Sequence, residues 1–223
     1  MKKICSYARS NISRFRKSFR FKRQNKLQGE TSVLVNNISY LAIIQAITYL
    51  SPLIITPFLF RTLKADAFGL FFFGNSLVFY FTILVDFGFE IYGAKEVAFL
   101  QNNPLKVNRL ISSIFYLKLL FVIISLLVYY LVLTFVPIPI IAEHTDLYVV
   151  NGIQLLAVLF SCTWAYQGFQ KLRTLTFINI IFKVLYIIVV LVLIKSSHDL
   201  NLLAFLYSFS ALGVAVVSFV FLI

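Results

Sequence analysis

The sequence predicts an all-α integral membrane protein of six transmembrane helices, and three observations predict it. First, the 223 residues are 61% hydrophobic with a mean hydropathy of +0.92, and only 13% are charged, which lies outside the range of soluble domains. Second, the apolar residues gather into six runs of 19 to 27 residues, each long enough at ~1.5 Å per residue to cross most or all of a hydrocarbon core of ~30 Å. Third, the breaks between runs are short, so no loop is large enough to fold as a catalytic domain, and function falls to the helices themselves.

Residues 1–37 lack the apolar segment of a secretory signal. Ten of the twenty Lys and Arg lie before residue 27, so the net charge of +12 is local and calls for no nucleic-acid partner. This basic arm is expected in the cytoplasm. Cys5, Ala8, Ile12, Phe15 and Phe19 recur three and four apart, which suits an amphipathic helix lying on anionic membrane lipids. A disordered arm retained by its charge is the other reading.

A transmembrane bundle is expected over residues 38–223. Its first two spans, about 38–60 and 70–92, form a hairpin around the tether RTLKADAFG. Asn103 as N-cap and Pro104 as first helical residue lead into a third span at 110–136, which stops where Pro137 and Pro139 break the helix. The fourth and fifth spans are placed at 147–165 and 174–194. The sixth runs over 200–223, where Ala204, Ser208, Ala211, Ala215 and Ser218 form a small-residue seam suited to close helix contact. With the N-terminus inside, fifteen positive charges fall on the cytoplasmic side and three on the other, so both ends are expected in the cytoplasm.

Polar residues within the spans carry the functional signal. Gln45, Tyr49, Pro52 and Thr56 share one face of the first span, and Asn75, Thr82, Asp86 and Glu90 one face of the second. Such stripes face other helices or a wet cavity, because an unpaired polar group in hydrocarbon costs several kcal/mol. Lys118 lies nine residues beyond Arg109 and Lys183 ten beyond Arg173, which puts both ~14 to 15 Å above the inner boundary. Lys118 shares a face with Ser125 and Tyr129, and Lys183 with Thr176, Asn179 and Tyr186. A lysine at the centre of a span is unfavourable by ~2.5 to 3.5 kcal/mol, so each needs a partner or water. Asp86 or Glu90 pairing with one lysine is a purely structural solution. A cation left over in a wet cavity would instead suit an anionic substrate.

Cys5 and Cys162 have neither metal-ligand spacing nor a disulfide geometry to suggest, and no nucleotide, dinucleotide, zinc-protease or serine-hydrolase motif occurs. No catalytic residue, metal or cofactor is expected.

Several stretches together resemble the Wzx-type flippases of the multidrug, oligosaccharidyl-lipid and polysaccharide exporter superfamily. The first span is broken by proline, and Leu63 to Gly69 is similar to that family's L-G-x-x-x-[YF]-G tether. Asp86, Phe87, Gly88 and Phe89 resemble its D-[YF]-G-F, and Ala94 to Ala98 its A-x-[RK]-E-[IV]-A. Trp164, Gln167 and Gly168 look like W-x-x-Q-G, and Asn179 with Lys183 like N-x-x-x-[RK]. Lys64 stands where the family usually has Gly, and Gln170 where an acidic residue is common.

The resemblance covers roughly residues 36–223. Family members usually have twelve to fourteen spans, so it implies the N-terminal half of a two-bundle transporter. It further implies a substrate of oligosaccharide on undecaprenyl diphosphate, carried outward across the bacterial inner membrane for O-antigen, capsule or exopolysaccharide synthesis, with polysaccharide polymerase machinery as a possible partner. On this reading Lys118, Lys183, Asn179, Gln45, Asn75 and Tyr129 are the candidate substrate-binding residues, and Asp86 and Glu90 the candidates for ion coupling. The competing readings are another exporter of the superfamily, a non-transporting remnant or partner, and a membrane polysaccharide polymerase. The last is disfavoured because the longest outside loop, Pro137 to Asp146, offers only Glu143 and Asp146 as acids.

Overall fold

The computed structural model describes residues 35–135 and 139–222, so the basic arm expected over 1–37 and the break at Pro137 fall almost wholly outside the described residues. The chain divides into two units, Met1–Tyr40 and Leu41–Ile223. The described residues 35–40 of the first are helical. The regular structure of the second is helical throughout its described residues.

In the second unit a helix through residues 41–86 is interrupted once, at Lys64, whose φ of 64° and ψ of 172° separate α1 (41–63) from α2 (65–86). Phe87 and Gly88, at φ 33° and 83°, end α2 and open α3, Phe89–Leu100. The third apolar run is the single helix α4, Pro104–Phe135, which Asn103 caps by accepting a hydrogen bond from the Lys106 amide at 3.2 Å. Then come the short α5, Pro139–Glu143, and three pieces that replace one continuous fourth span: α6, Thr145–Asn151, α7, Ile153–Phe160, and α8, Thr163–Gly168. The long helix α9, Leu172–Leu193, is followed by a 3-10 turn at Ser197–Asp199 and by α10, Leu200–Leu222.

Five helical stretches are long and apolar enough to cross a membrane: Val35–Leu100, Pro104–Phe135, Thr145–Gly168, Leu172–Leu193 and Ser197–Leu222. The expected count was six. The difference lies in the tether RTLKADAFG, which is helical except at Lys64 rather than a loop, so the first two expected spans merge. The merged stretch of 66 residues would measure ~99 Å if straight, about three times a hydrocarbon core. It has ample length for both spans.

Two crossings explain why small residues stand where they do. On α10, Ala204 and Ser208 are wholly buried, and Ala215 and Ser218 nearly so. This seam packs against α6, α7 and α9, and Gly213 leaves room for the Phe182 ring of α9. The second crossing joins α3 to α8. Gly93 lies under the Trp164 indole, and a Cβ on Gly168 would fall 2.6 Å from Val97 Cβ and 2.8 Å from the Ala94 carbonyl oxygen. Large apolar side chains such as Ile83, Leu105, Ile123 and Val192 point outward, as suits contact with lipid.

Candidate functional site

α2, α7, the α7–α8 junction, α9 and α10 border an open-sided cavity of about 630 Å³, within the ~300 to 1,000 Å³ usual for small-molecule sites. Its wall carries Asn75, Thr82 and Asp86 from α2, Gln154 from α7, Asn179 from α9, and Tyr207 and Ser218 from α10. Three stripe residues expected on the second span therefore share one cavity wall.

The carboxamides are linked. Gln154 Nε2 donates to Asn75 Oδ1 at 3.0 Å and, at 3.4 Å, to Asn151 Oδ1. Asn75 Nδ2 donates to the Phe71 carbonyl at 3.0 Å, and Asn179 Nδ2 to the Leu175 carbonyl at 2.9 Å. Each retains unused hydrogen-bonding capacity, since a carboxamide offers two donors and two acceptor lone pairs.

The backbone opens onto the same cavity. Between α7 and α8, Ser161 (φ −67°, ψ 115°) and Cys162 (φ −119°, ψ 25°) leave the helix, and Ser161, Cys162 and Thr163 all line the wall. Non-helical backbone within an apolar span is tolerated where it is buried in protein or borders water, because lipid cannot satisfy its amides and carbonyls. Discontinuous helices of this kind build the binding sites of many transporters.

One charged side chain stands on the wall, the Asp86 carboxylate. Lys118 on α4 donates to its Oδ1 at 2.9 Å from behind, with Lys118 only 1% exposed and Asp86 32%. The left-handed Gly88 ends α2 just past Asp86, which leaves the carboxylate at the helix terminus facing α4. No Lys or Arg is among the residues lining the cavity.

The other residues singled out in the sequence lie elsewhere. Tyr129 is buried and donates to the Tyr148 carbonyl at 2.6 Å. Glu90 is exposed in the first turn of α3. Gln45, Tyr49 and Pro52 are exposed, and α1 buries Ser51, Ile55, Leu59 and Leu63 instead. Lys183 is half-buried, off the cavity wall, and has no carboxylate within ion-pair distance among the described residues. Its place is one helical turn beyond Asn179.

Sequence reasoning missed Gln154, Tyr207 and the Ser161–Cys162 break. Gln154 carried the same signal as Asn75, a carboxamide within an apolar run. The break carried none, since neither Ser nor Cys forbids a helix.

The motif pieces noted above meet in space. AKEVA and the W-x-x-Q-G element are the two sides of the α3–α8 crossing, and Asp86 of the D-[YF]-G-F stretch holds Lys118.

Comparison with known proteins agrees with this picture. The family model described as polysaccharide biosynthesis protein matches residues 34–223. A protein of Escherichia coli (strain K12) named "Putative O-antigen transporter" is 25% identical over 185 residues, covering 83% of this chain and 44% of its own length. One of Shigella dysenteriae with the same name is 24% identical over 166 residues, covering 74% of this chain and 40% of its own. The chain thus spans somewhat less than half the length of each. No solved structure matches it.

Proposed function

Since the chain belongs to the polysaccharide biosynthesis protein family, we propose that it forms the N-terminal part of a flippase. Its cargo would be lipid-linked oligosaccharide repeat units, moved from the cytoplasmic to the outer face of the bacterial inner membrane. The observation that carries this reading is the cavity of about 630 Å³ in a largely apolar bundle, with Asn75, Asp86, Gln154 and Asn179 on its wall and a broken fourth span at its border. A helix bundle that served only as an anchor would gain nothing from unwinding there, because exposed backbone in lipid is unfavourable by several kcal/mol per group.

In this reading Asn75, Gln154 and Asn179 contact the sugar hydroxyls, and the prenyl tail stays in lipid outside the helices. Asp86, held by Lys118, stands on the cavity wall and is the candidate for carrying a coupling ion. Glu90 is less suited, being away from the wall. The excess of positive charge in the basic arm and in the loops on its side supports a cytoplasmic N-terminus. The names of the two relatives, transporters rather than enzymes, favour this over the polymerase reading.

The test is complementation of a flippase-deficient strain, scored by surface polysaccharide, with this chain and with a version extended through any downstream reading frame. Restoration by either version, abolished by Asn179→Leu at unchanged membrane abundance, supports the proposal. Failure of both versions at normal abundance refutes it.

A further inference from the structure

Lys118 is absent from the wall of the large cavity but borders a second, much smaller one, together with Leu159, Ser161, Cys162, Trp164 and Phe219. Its volume is about 10 Å³, at the lower end of the ~10 to 15 Å³ that admits one water molecule. A sugar or a lipid headgroup is excluded by size.

The polar groups around it are mostly donors without acceptors. Trp164 is 2% exposed, and among the described residues its Nε1 has no hydrogen-bond partner. Gly93 of α3 meets Cε3 and Cζ3 of the indole, and Nε1 lies on the opposite edge of the ring system. Lys118 is 1% exposed, and its ammonium has three N–H groups. One goes to Asp86 Oδ1 at 2.9 Å, its single hydrogen bond among the described residues. A buried donor left unpaired costs about 1 to 3 kcal/mol, and more when it is charged. An acceptor for both donors is therefore what this place needs. Leu159 stands in the last turn of α7, where the carbonyls have no partner within the helix, so it can take a proton in return.

We propose that this small cavity is a binding site for a single buried water, which accepts from Trp164 Nε1 and Lys118 Nζ and donates to the end of α7. Three partners are the usual number for a buried water. Since Lys118 also holds Asp86, the water extends that ion pair into a chain of contacts from α2 through α4 to α8. The site does not depend on the transport reading.

Trp164 is the sole tryptophan of the sequence, so its indole can be observed by itself. The full chain, isotope-labelled at the indole nitrogen, is studied by NMR in detergent micelles. The Nε1 proton should resonate downfield, as in a hydrogen-bonded indole, and show a rotating-frame cross-peak to water of the sign that marks proximity rather than proton exchange. This peak should not vary with pH, whereas one relayed through an exchanging Lys118 ammonium would. In Lys118→Met, and in the Asp86→Asn, Lys118→Met double variant that leaves no buried charge unpaired, the water loses a charge-assisted bond. There the peak should weaken by at least about threefold and the proton should move upfield. No cross-peak to water in the parent overturns the proposal, whether the indole is unbonded or bonded to a protein acceptor. A peak that follows pH overturns it as well. A peak and shift unchanged in both variants overturn the part given to Lys118.

Discussion

Asp86→Asn should destabilise the protein more than Lys118→Met, although both remove the same ion pair. At 2.9 Å the bare attraction is ~6 kcal/mol at an effective permittivity of ~20, much of it offset by the desolvation of the two groups. What remains depends on which charge is left behind. After Asp86→Asn the orphan is the Lys118 ammonium, 1% exposed, and a buried charge stripped of its partner costs about 3 to 5 kcal/mol. After Lys118→Met the orphan is Asp86, 32% exposed and facing the cavity, where water supplies part of the lost solvation and the cost should be about 1 to 2 kcal/mol. The double variant leaves no orphan and should lie within about 1 kcal/mol of the parent, since replacing both members of a buried pair is often neutral. The assay is thermal unfolding of the purified chain in one detergent, all four proteins side by side, converted to a double-mutant cycle. A coupling of at least 2 kcal/mol is expected. Additive losses, or Lys118→Met being the worse of the two, would refute both the pairing and the burial argument.

Further substitutions test other joints of the structure. Lys64 holds φ 64° and ψ 172°, a region essentially reserved for glycine and unfavourable for other residues by about 1 to 3 kcal/mol. Lys64→Gly should therefore raise the unfolding midpoint, and Lys64→Val should lower it. Gly168→Leu would drive side-chain atoms into Val97 and the Ala94 carbonyl and should lower membrane abundance sharply, by more than 2 kcal/mol in a melt. Gly69→Ala, with nothing within 4 Å of its Cβ, should be neutral or gain up to ~1 kcal/mol. Asp199 Oδ2 accepts from the Lys195 and Ser196 amides, both at 2.9 Å. Asp199→Ala removes both bonds to this capping-box carboxylate, and hydrogen exchange should show faster turnover of those two amides.

The relation of sequence to structure is clearest at the two positions that depart from the family pattern. Lys64 and Gln170 both take positive φ, 64° and 58°, so each departure falls where the backbone itself is unusual. The sequence located the problem without stating the geometry. The small-residue seam of α10 was legible for a similar reason, because Ala and Ser spaced four and three apart have one dominant use on a membrane helix. The site was legible only in part. Asn75, Asp86 and Asn179 do meet in one cavity, whereas Gln45 and Glu90 lie exposed and Lys183 one turn away.

By itself the sequence determined what is one-dimensional: which stretches are apolar and long enough to span, where Pro104 starts a helix, and where along the chain the positive charge gathers. Those properties add along the chain and need no partner. The tertiary structure alone decided the rotation of each helix, and with it that Asp86 takes Lys118 while the polar face of α1 points outward. It alone placed the break at Ser161–Cys162. Periodicity relates a residue only to its own helix, so it ranks the faces of a span without saying what each face meets. An unwound turn, likewise, carries no signal in Ser161 and Cys162, neither of which forbids a helix.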